Sequence, residues 1–189
     1  MKFVTSNKHK FDEISEMFRN AGIHIEWLKL KYDELQEDFT ESISYKSAVS
    51  LMDIIDGDFF LEDTGLYIQS LSGFPGPYSS FVSKTISNDG VLKLLVGKDR
   101  TAYFKTVVSL CINGKILQFG GILNGKIAER ASGEKGFGFD PIFIPNGRDK
   151  TLADMGIKEK NEFSHRSRAI KTFIFFLKGN PGLFKSDLI

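Results

Sequence analysis

Short apolar runs alternate with helical segments at the start of the chain, and this order limits the fold more than any other feature. The β-prone runs cover residues 2–6, 23–30 and 59–62, and segments with an apolar stripe at helical spacing cover residues 8–21 and 42–55. A β-α-β-α-β order favours parallel strands in one sheet, with the helices packed across its faces. The sequence therefore predicts an α/β fold.

The middle of the chain adds antiparallel strands. Residues 101–112 alternate in character, and the Asn113-Gly114 pair directly after them is a strong hairpin signal. We expect the return strand over residues 115–122 and a third antiparallel strand over residues 127–129. This section predicts a second lobe, with a cleft between the two lobes. Further helical patterns cover residues 87–95, 158–163 and 165–177.

Composition and charge argue against several classes of protein. The net charge of +1 does not fit the basic surface that a partner of duplex nucleic acid needs. Cys111 is the single cysteine, so neither an intramolecular disulfide nor a cysteine-based zinc site is available. Without a signal-peptide pattern or an apolar run of ~18 residues, we expect a cytoplasmic protein with no membrane partner. We expect one domain over residues 1–189, ending in a tail over residues 179–189.

A polar, cationic turn separates the first predicted strand from the first helix. Backbone N–H groups at a helix start bind anions, and lysines add charge, so the turn is a candidate phosphate site. No GxxxxGK[ST] pattern occurs in the sequence, so the turn is not a P-loop. A capped helix with exposed lysines is the alternative. The residues concerned are Thr5, Ser6, Asn7, Lys8, His9 and Lys10.

Two carboxylates, Glu62 and Asp63, stand where the third predicted strand meets Gly65. Neighbouring side chains on a strand point to opposite faces, so we expect at most one of them to face a given cleft. Magnesium suits such a carboxylate, together with phosphate oxygens and waters. Glu34 follows the second strand and is expected near the same edge of the sheet. The alternative for the strand-end pair is a carboxylate that caps nearby backbone N–H groups. The alternative for Glu34 is a solvated loop residue.

Two further stretches offer groups that recognise a base. Gly136 and Gly138 flank an aromatic pair, and a purine stacked on Phe139 would gain ~1–3 kcal/mol. Ser164 is placed to cap the last helix, which puts His165 and Arg166 in its first turn, where an anionic or carbonyl-rich ligand is favoured. The alternative for the aromatic pair is that it fills the edge of the core. The alternatives for the last stretch are a histidine with its hydrogen bonds made within the protein and an arginine on the surface.

Together these stretches resemble the inosine triphosphate pyrophosphatase family. The resemblance extends from about residue 2 to residue 177 and is most specific in Glu62-Asp63-Thr64-Gly65-Leu66, in residues 71–79 and 136–141, and in residues 159–166. It implies an elongated α/β structure with a mixed central β-sheet flanked by helices, two lobes and a homodimer. It also implies magnesium-dependent (Mg2+) hydrolysis of ITP, dITP and XTP to the monophosphate and pyrophosphate, which removes non-standard purines from the nucleotide pool.

The resemblance also implies roles for individual residues. Asp63 would be the catalytic base, and Glu34 and Asp63 would bind the metal, with Glu62 as an alternative ligand. Phe139 stands where relatives often have Trp or Tyr. Arg166 carries only donors, so it suits the O6 acceptor of hypoxanthine and xanthine and leaves the amino group of adenine unpaired. The substrate-binding residues would be Thr5, Ser6, Asn7, Lys8, His9, Lys10, Lys46, Thr64, Phe137, Gly138, Phe139, Asp140, Lys160, His165 and Arg166.

Three other functions remain to be weighed against the pyrophosphatase. A non-catalytic nucleotide sensor would use the same pocket, but the acidic residues at 34, 62 and 63 argue against it. A single-stranded nucleic-acid binder would use Phe139 and the lysines, which the near-neutral charge disfavours. A related pyrophosphatase acting on pyrimidine or modified nucleotides would differ only in the base that it accepts.

Overall fold

A computed structural model describes residues 1–32 and 37–183. Glu34 and the end of the expected tail, residues 184–189, lie outside the described residues. The strands are β1 (Lys2–Val4), β2 (Glu26–Leu28), β3 (Phe59–Ile68), β4 (Pro75–Gly76), β5 (Thr101–Ile112), β6 (Lys115–Ile127) and β7 (Phe143–Pro145). The α-helices are α1 (Lys8–Asn20), α2 (Thr40–Met52), α3 (Ser79–Thr85), α4 (Ser87–Leu94), α5 (Ile157–Phe163) and α6 (His165–Gly179).

The strands form one seven-stranded mixed sheet in the order β2-β1-β3-β5-β6-β7, and β4 pairs with β3 outside this path. Strand β1 pairs in parallel with both β2 and β3, whereas the pairs β3–β5, β5–β6 and β6–β7 are antiparallel. Asn113 and Gly114 form the turn between β5 and β6, both with positive φ. The predicted α/β fold with a mixed sheet flanked by helices is confirmed.

Three local predictions were wrong, and long-range pairing explains two of them. Strand β3 does not end near Glu62, because every residue from Phe59 to Ile68 has a partner on β5. Strand β6 runs unbroken to Ile127, because Asn124 and Gly125 pair with β5 and form no turn. Of the expected strand at residues 127–129, only Ile127 is in a strand, and it is the last residue of β6. The third error is α3, which the sequence did not predict.

Apolar side chains on one face of the sheet fall into two groups. The first contains Phe60 of β3 and is covered by α1 and α6, and the second contains Leu66 of β3 and is covered by α3, α4 and the loops around residues 139–155. Helix α2 covers the opposite face. Glu62 and Thr64 lie between Phe60 and Leu66 on the same side of β3, because side chains two apart share a face. The polar residues of this strand therefore lie where the two apolar groups meet.

Close packing of α6 on the sheet depends on Gly121 of β6. A Cβ atom at this position would lie 2.1 Å from the carbonyl oxygen of His165 and 2.5 Å from the amide nitrogen of Ala169. Any larger residue would therefore push the first turn of α6 away from the sheet, together with His165 and Arg166. Within the described part of the chain, no helix has the length and apolar character needed to cross a membrane.

Candidate active site

A cleft of about 460 Å³ opens where the two apolar groups meet. Its walls come from the turn after β1, the middle of β3, helix α3, the loop before residue 140 and the start of α6. The cleft thus brings together all four sequence stretches that carry the predicted chemistry. The predicted site residues that line it are Thr5, Ser6, Asn7, Lys10, Glu62, Asp63, Thr64, Phe137, Gly138, Phe139, Asp140, His165 and Arg166.

The turn between β1 and α1 is held by its own polar side chains. Asn7 is the N-cap of α1, and its Oδ1 accepts hydrogen bonds from the backbone N–H groups of His9 and Lys10. The Oγ1 of Thr5 accepts from the N–H of Asn7 at 3.1 Å. Capping fixes the backbone that faces the cleft, so the turn presents a rigid polar edge. Lys8 points elsewhere, to Asp12 at 2.6 Å.

Glu62 and Asp63 are both among the residues that line the cleft. Glu62 is fully buried, and its Oε1 contacts Lys10 at 3.1 Å and Arg166 at 3.2 Å. Its Oε2 accepts a hydrogen bond from the hydroxyl of Thr64 at 2.8 Å. Both oxygens of Glu62 are thus engaged by protein groups. Asp63 is only partly buried and is the more accessible of the two carboxylates.

Glu13 of α1 does not line the cleft but contacts two of the predicted site residues, and the sequence analysis did not identify it. Its carboxylate is 3% exposed and contacts Arg166 at 2.7 Å and Lys160 at 2.5 Å. Lys160 also contacts Asp140 at 2.7 Å. The clue in the sequence was a glutamate one turn before Met17, on the buried stripe of the helix.

The buried ion pairs form one continuous network. It runs from Lys10 through Glu62, Arg166, Glu13 and Lys160 to Asp140, so three cations alternate with three carboxylates. Burial alone would raise the pKa of Glu62, but the charges of Arg166 and Lys10 outweigh it and lower the pKa to about 2. Burial likewise opposes ionisation of Glu13, yet Arg166 and Lys160 hold its pKa below the usual value. Asp140 differs, because burial outweighs the charge of Lys160 and raises its pKa above the usual value. With all six groups ionised, the formal charges of the network cancel.

The loop before Asp140 is folded around this network. The Oδ2 of Asp140 accepts a hydrogen bond from the N–H of Phe137 at 3.1 Å, and a Cβ at Gly136 would lie 2.1 Å from that oxygen. Gly136 has φ +77°, so only glycine fits this close approach easily. Phe137 is half-buried, with the guanidinium of Arg166 5.3 Å from its ring centre. Phe139 is 3% exposed and belongs to the second apolar group.

His165 is a buried, neutral group at the inner end of the cleft. Ser164 caps α6 as predicted, through a hydrogen bond from the N–H of Ser167 to its Oγ. The imidazole stacks on Phe104 with ring centres 4.5 Å apart. Burial, reinforced by the nearby charge of Arg166, lowers the pKa of His165 well below its usual value. No residue of the described chain bonds to its Nδ1.

Four of the other predicted residues are described, and none of them lines the cleft. Lys8 and Lys46 are exposed, and Lys46 pairs with Glu37. His9 stacks on the outer side of the site against Phe137, with ring centres 5.4 Å apart. Lys160 is 2% exposed and contacts Glu13, Asp140 and the ring of Phe137. The functional roles assigned to these residues stay predictions.

Comparison with sequence families and curated proteins gives consistent matches. The sequence model of the Ham1 family matches residues 1–176. A "dITP/XTP pyrophosphatase" of Thermococcus kodakarensis is 46% identical over 181 residues, covering 95% of this chain and 98% of the relative. A protein of the same name from Pyrococcus horikoshii is 45% identical, covering 94% of this chain and 96% of the relative.

Solved structures show the same fold. A HAM1 protein from Coxiella burnetii superposes with a TM-score of 0.79 at 27% identity, covering 95% of this chain and 99% of that one. The Ham1 protein of Staphylococcus aureus superposes with a TM-score of 0.78 at 28% identity, covering 95% of this chain and 100% of that one.

Proposed function

The chain belongs to the Ham1 family, and on this basis we propose that it hydrolyses the triphosphates of non-standard purines, namely ITP, dITP and XTP, to the monophosphate and pyrophosphate. Its relatives in Thermococcus and Pyrococcus are named "dITP/XTP pyrophosphatase", which includes two of these three substrates. The observation that carries the proposal is the joint cleft: the capped turn, Asp63 and the base-recognition stretches line one space of about 460 Å³.

Asp63 is the group that we assign to the chemistry. It is a partly buried residue that lines the cleft, as do Thr64 and the turn that begins at Thr5. In this position it would accept the proton of the attacking water. Triphosphate hydrolysis needs positioning and charge neutralisation more than covalent help, so one accessible carboxylate is sufficient.

The donors in the cleft also fit magnesium. Within residues 1–32 and 37–183, no group of three or more His, Cys, Asp or Glu side chains is arranged to hold a metal ion. Magnesium needs no such cage, since it takes one or two carboxylates and completes its shell with waters and substrate phosphates. We assign it to Asp63 together with Glu34, which lies outside the described residues, and not to Glu62, whose oxygens are engaged. When bound, Mg²⁺ would neutralise part of the phosphate charge.

Arg166 would recognise the base through those of its N–H groups that do not donate to Glu62 or Glu13. Its Nε, Nη1 and Nη2 each give one N–H to Glu62 or Glu13. A guanidinium has five N–H donors, so two remain. These suit the O6 acceptor of hypoxanthine or xanthine, whereas the amino group of adenine would leave them unpaired. The neutral His165 adds a polar edge without further charge. Phe137 and Phe139 would provide the apolar surface beside the base.

The substrate preference is tested by kcat/KM over a panel of ITP, dITP, XTP, ATP, GTP, dUTP and dTTP with Mg²⁺. We expect ITP and XTP to exceed ATP by about tenfold or more, because an unsatisfied buried donor costs ~1–3 kcal/mol. Chelation of Mg²⁺ should abolish turnover of every substrate. Equal or faster hydrolysis of dUTP or dTTP would favour the pyrimidine alternative. Tight binding of ITP without turnover would instead favour the sensor.

The remaining parts of the proposal follow from the same activity. An enzyme that degrades ITP and XTP would cleanse the nucleotide pool, and we propose that it does so in the cytoplasm. The homodimer that the resemblance implies is also part of the proposal, and light scattering of the purified protein would measure it.

A further inference from the structure

The ion network offers little uncompensated positive charge to a bound triphosphate. A nucleoside triphosphate carries roughly four negative charges near neutral pH. Lys10, Lys160 and Arg166 are already matched by Glu13, Glu62 and Asp140. The interior of the site thus adds almost no net charge toward the phosphates. Their charge has to be met by the metal and by lysines outside the network.

Two lysines line the cleft outside the network, namely Lys31 after β2 and Lys84 on α3. Both are exposed, and neither has an ion pair or a side-chain hydrogen bond with any residue that the structure describes. Lys84 stands on a helix, so its position can be argued from the geometry of that helix. The sequence patterns did not single it out.

Helix α3 is fixed to β3 at Leu66, three residues after Asp63. The Oγ of Ser79 accepts a hydrogen bond from the N–H of Leu66 at 2.8 Å and donates one to the carbonyl of Gly76 at 2.7 Å. Val82 is buried in the same apolar group as Leu66. These contacts hold both the start and the inner face of the helix.

Helix α3 also lines the cleft. Ser80, Ser83 and Lys84 all line it, and their spacing of three and four residues places them on one side of a helix. Phe81 is 65% exposed, whereas Val82 is buried. Helix α4 follows α3, and the amide of its Asn88 donates a hydrogen bond to the carbonyl of Gly138, a residue that lines the cleft, at 3.2 Å. A hydroxyl pair and an uncompensated ammonium group therefore form a wall of the cleft.

We propose that Lys84 is a substrate-binding residue that contacts the triphosphate from α3, with Ser80 and Ser83 as adjacent hydroxyl donors. The proposal rests on the proposed function for the identity of the substrate, and it adds a cationic contact to that site. Lys84 acts by binding charge and takes no part in proton transfer. Its removal should therefore weaken the affinity for polyphosphate and leave the hydrolytic step unchanged.

The first experiment compares Lys84→Ala with Lys93→Ala, which removes an exposed lysine of α4 that does not line the cleft. We expect Lys84→Ala to raise KM for ITP about tenfold, with kcat within about twofold of the parent, as for loss of one charge-assisted contact. Lys84→Arg should restore most of the affinity, because it keeps the charge. Lys93→Ala should leave both constants unchanged.

The second experiment measures binding of inorganic tripolyphosphate by calorimetry, which needs neither a base nor turnover. We expect the Lys84→Ala variant to bind it about tenfold more weakly than the parent and the Lys93→Ala variant to match the parent. Equal tripolyphosphate affinities and equal KM values for the two alanine variants would overturn the proposal. If the parent fails to hydrolyse ITP while Lys84→Ala still weakens tripolyphosphate binding, the proposed function fails and the contact from Lys84 stands.

Discussion

Replacing Asp63 with asparagine is expected to lower kcat for ITP by about 10³-fold, within the range of 10²–10⁴ for loss of a general base. The reason is that asparagine has nearly the same shape but cannot accept the proton and is a weaker ligand for Mg²⁺. Asp63 is partly buried in the middle of β3, where a neutral isostere keeps the strand pairing. Steady-state release of pyrophosphate measures the effect.

The control for this change is Asp53→Asn, which removes an exposed carboxylate beyond the end of α2. That variant should retain full activity. Thermal melting of the Asp63→Asn variant should stay close to that of the parent, which separates a lost reaction from a lost fold. Activity within a few fold of the parent would remove Asp63 from both of its proposed roles.

Replacing Glu13 with alanine is expected to lower the free energy of unfolding by about 3–5 kcal/mol, the usual cost of breaking a buried ion pair from one side. Glu13 is 3% exposed and contacts both Arg166 and Lys160. Its loss would leave two buried cations with one carboxylate contact fewer each. Urea denaturation followed by circular dichroism measures the change.

The neighbouring residue provides a matched control for Glu13. Asp12 lies on the same helix and pairs with Lys8 at the surface, where 69% of the lysine side chain is exposed. Exposed pairs of this kind contribute under about 1 kcal/mol, so Asp12→Ala should cost far less than Glu13→Ala. Equal costs for the two variants would show that the buried network does not stabilise the fold in the way that its geometry implies.

The sequence predicted those parts of the fold that depend on local patterns. The alternation over the first 62 residues was sufficient for the parallel strands, and Asn113-Gly114 was sufficient for the hairpin between β5 and β6. The end of β3 was misplaced because Gly65, after two carboxylates, resembles a strand end. The partner strand β5, together with β4 at Leu66 and Tyr67, keeps this segment extended to Ile68.

Glu13 shows why part of the candidate site was beyond sequence reasoning. Its partner Arg166 is 153 positions away, and Lys160 is almost as distant, so no local pattern reveals that they meet. The same holds for Lys84, which reaches the cleft only because Ser79 fixes α3 to β3. The motifs identified the cleft, whereas the electrostatic balance inside it depends on contacts that only the fold creates.

The central claim is that this cleft cleaves a keto-purine triphosphate to its monophosphate in one step. Phosphorus NMR of the purified protein with ITP and Mg²⁺ follows every phosphate species at once and tests this claim most directly. The account predicts that IMP and pyrophosphate appear together in equal amounts from the first turnover, with no IDP at any time. Accumulation of IDP with orthophosphate, or ITP that stays intact, would contradict it.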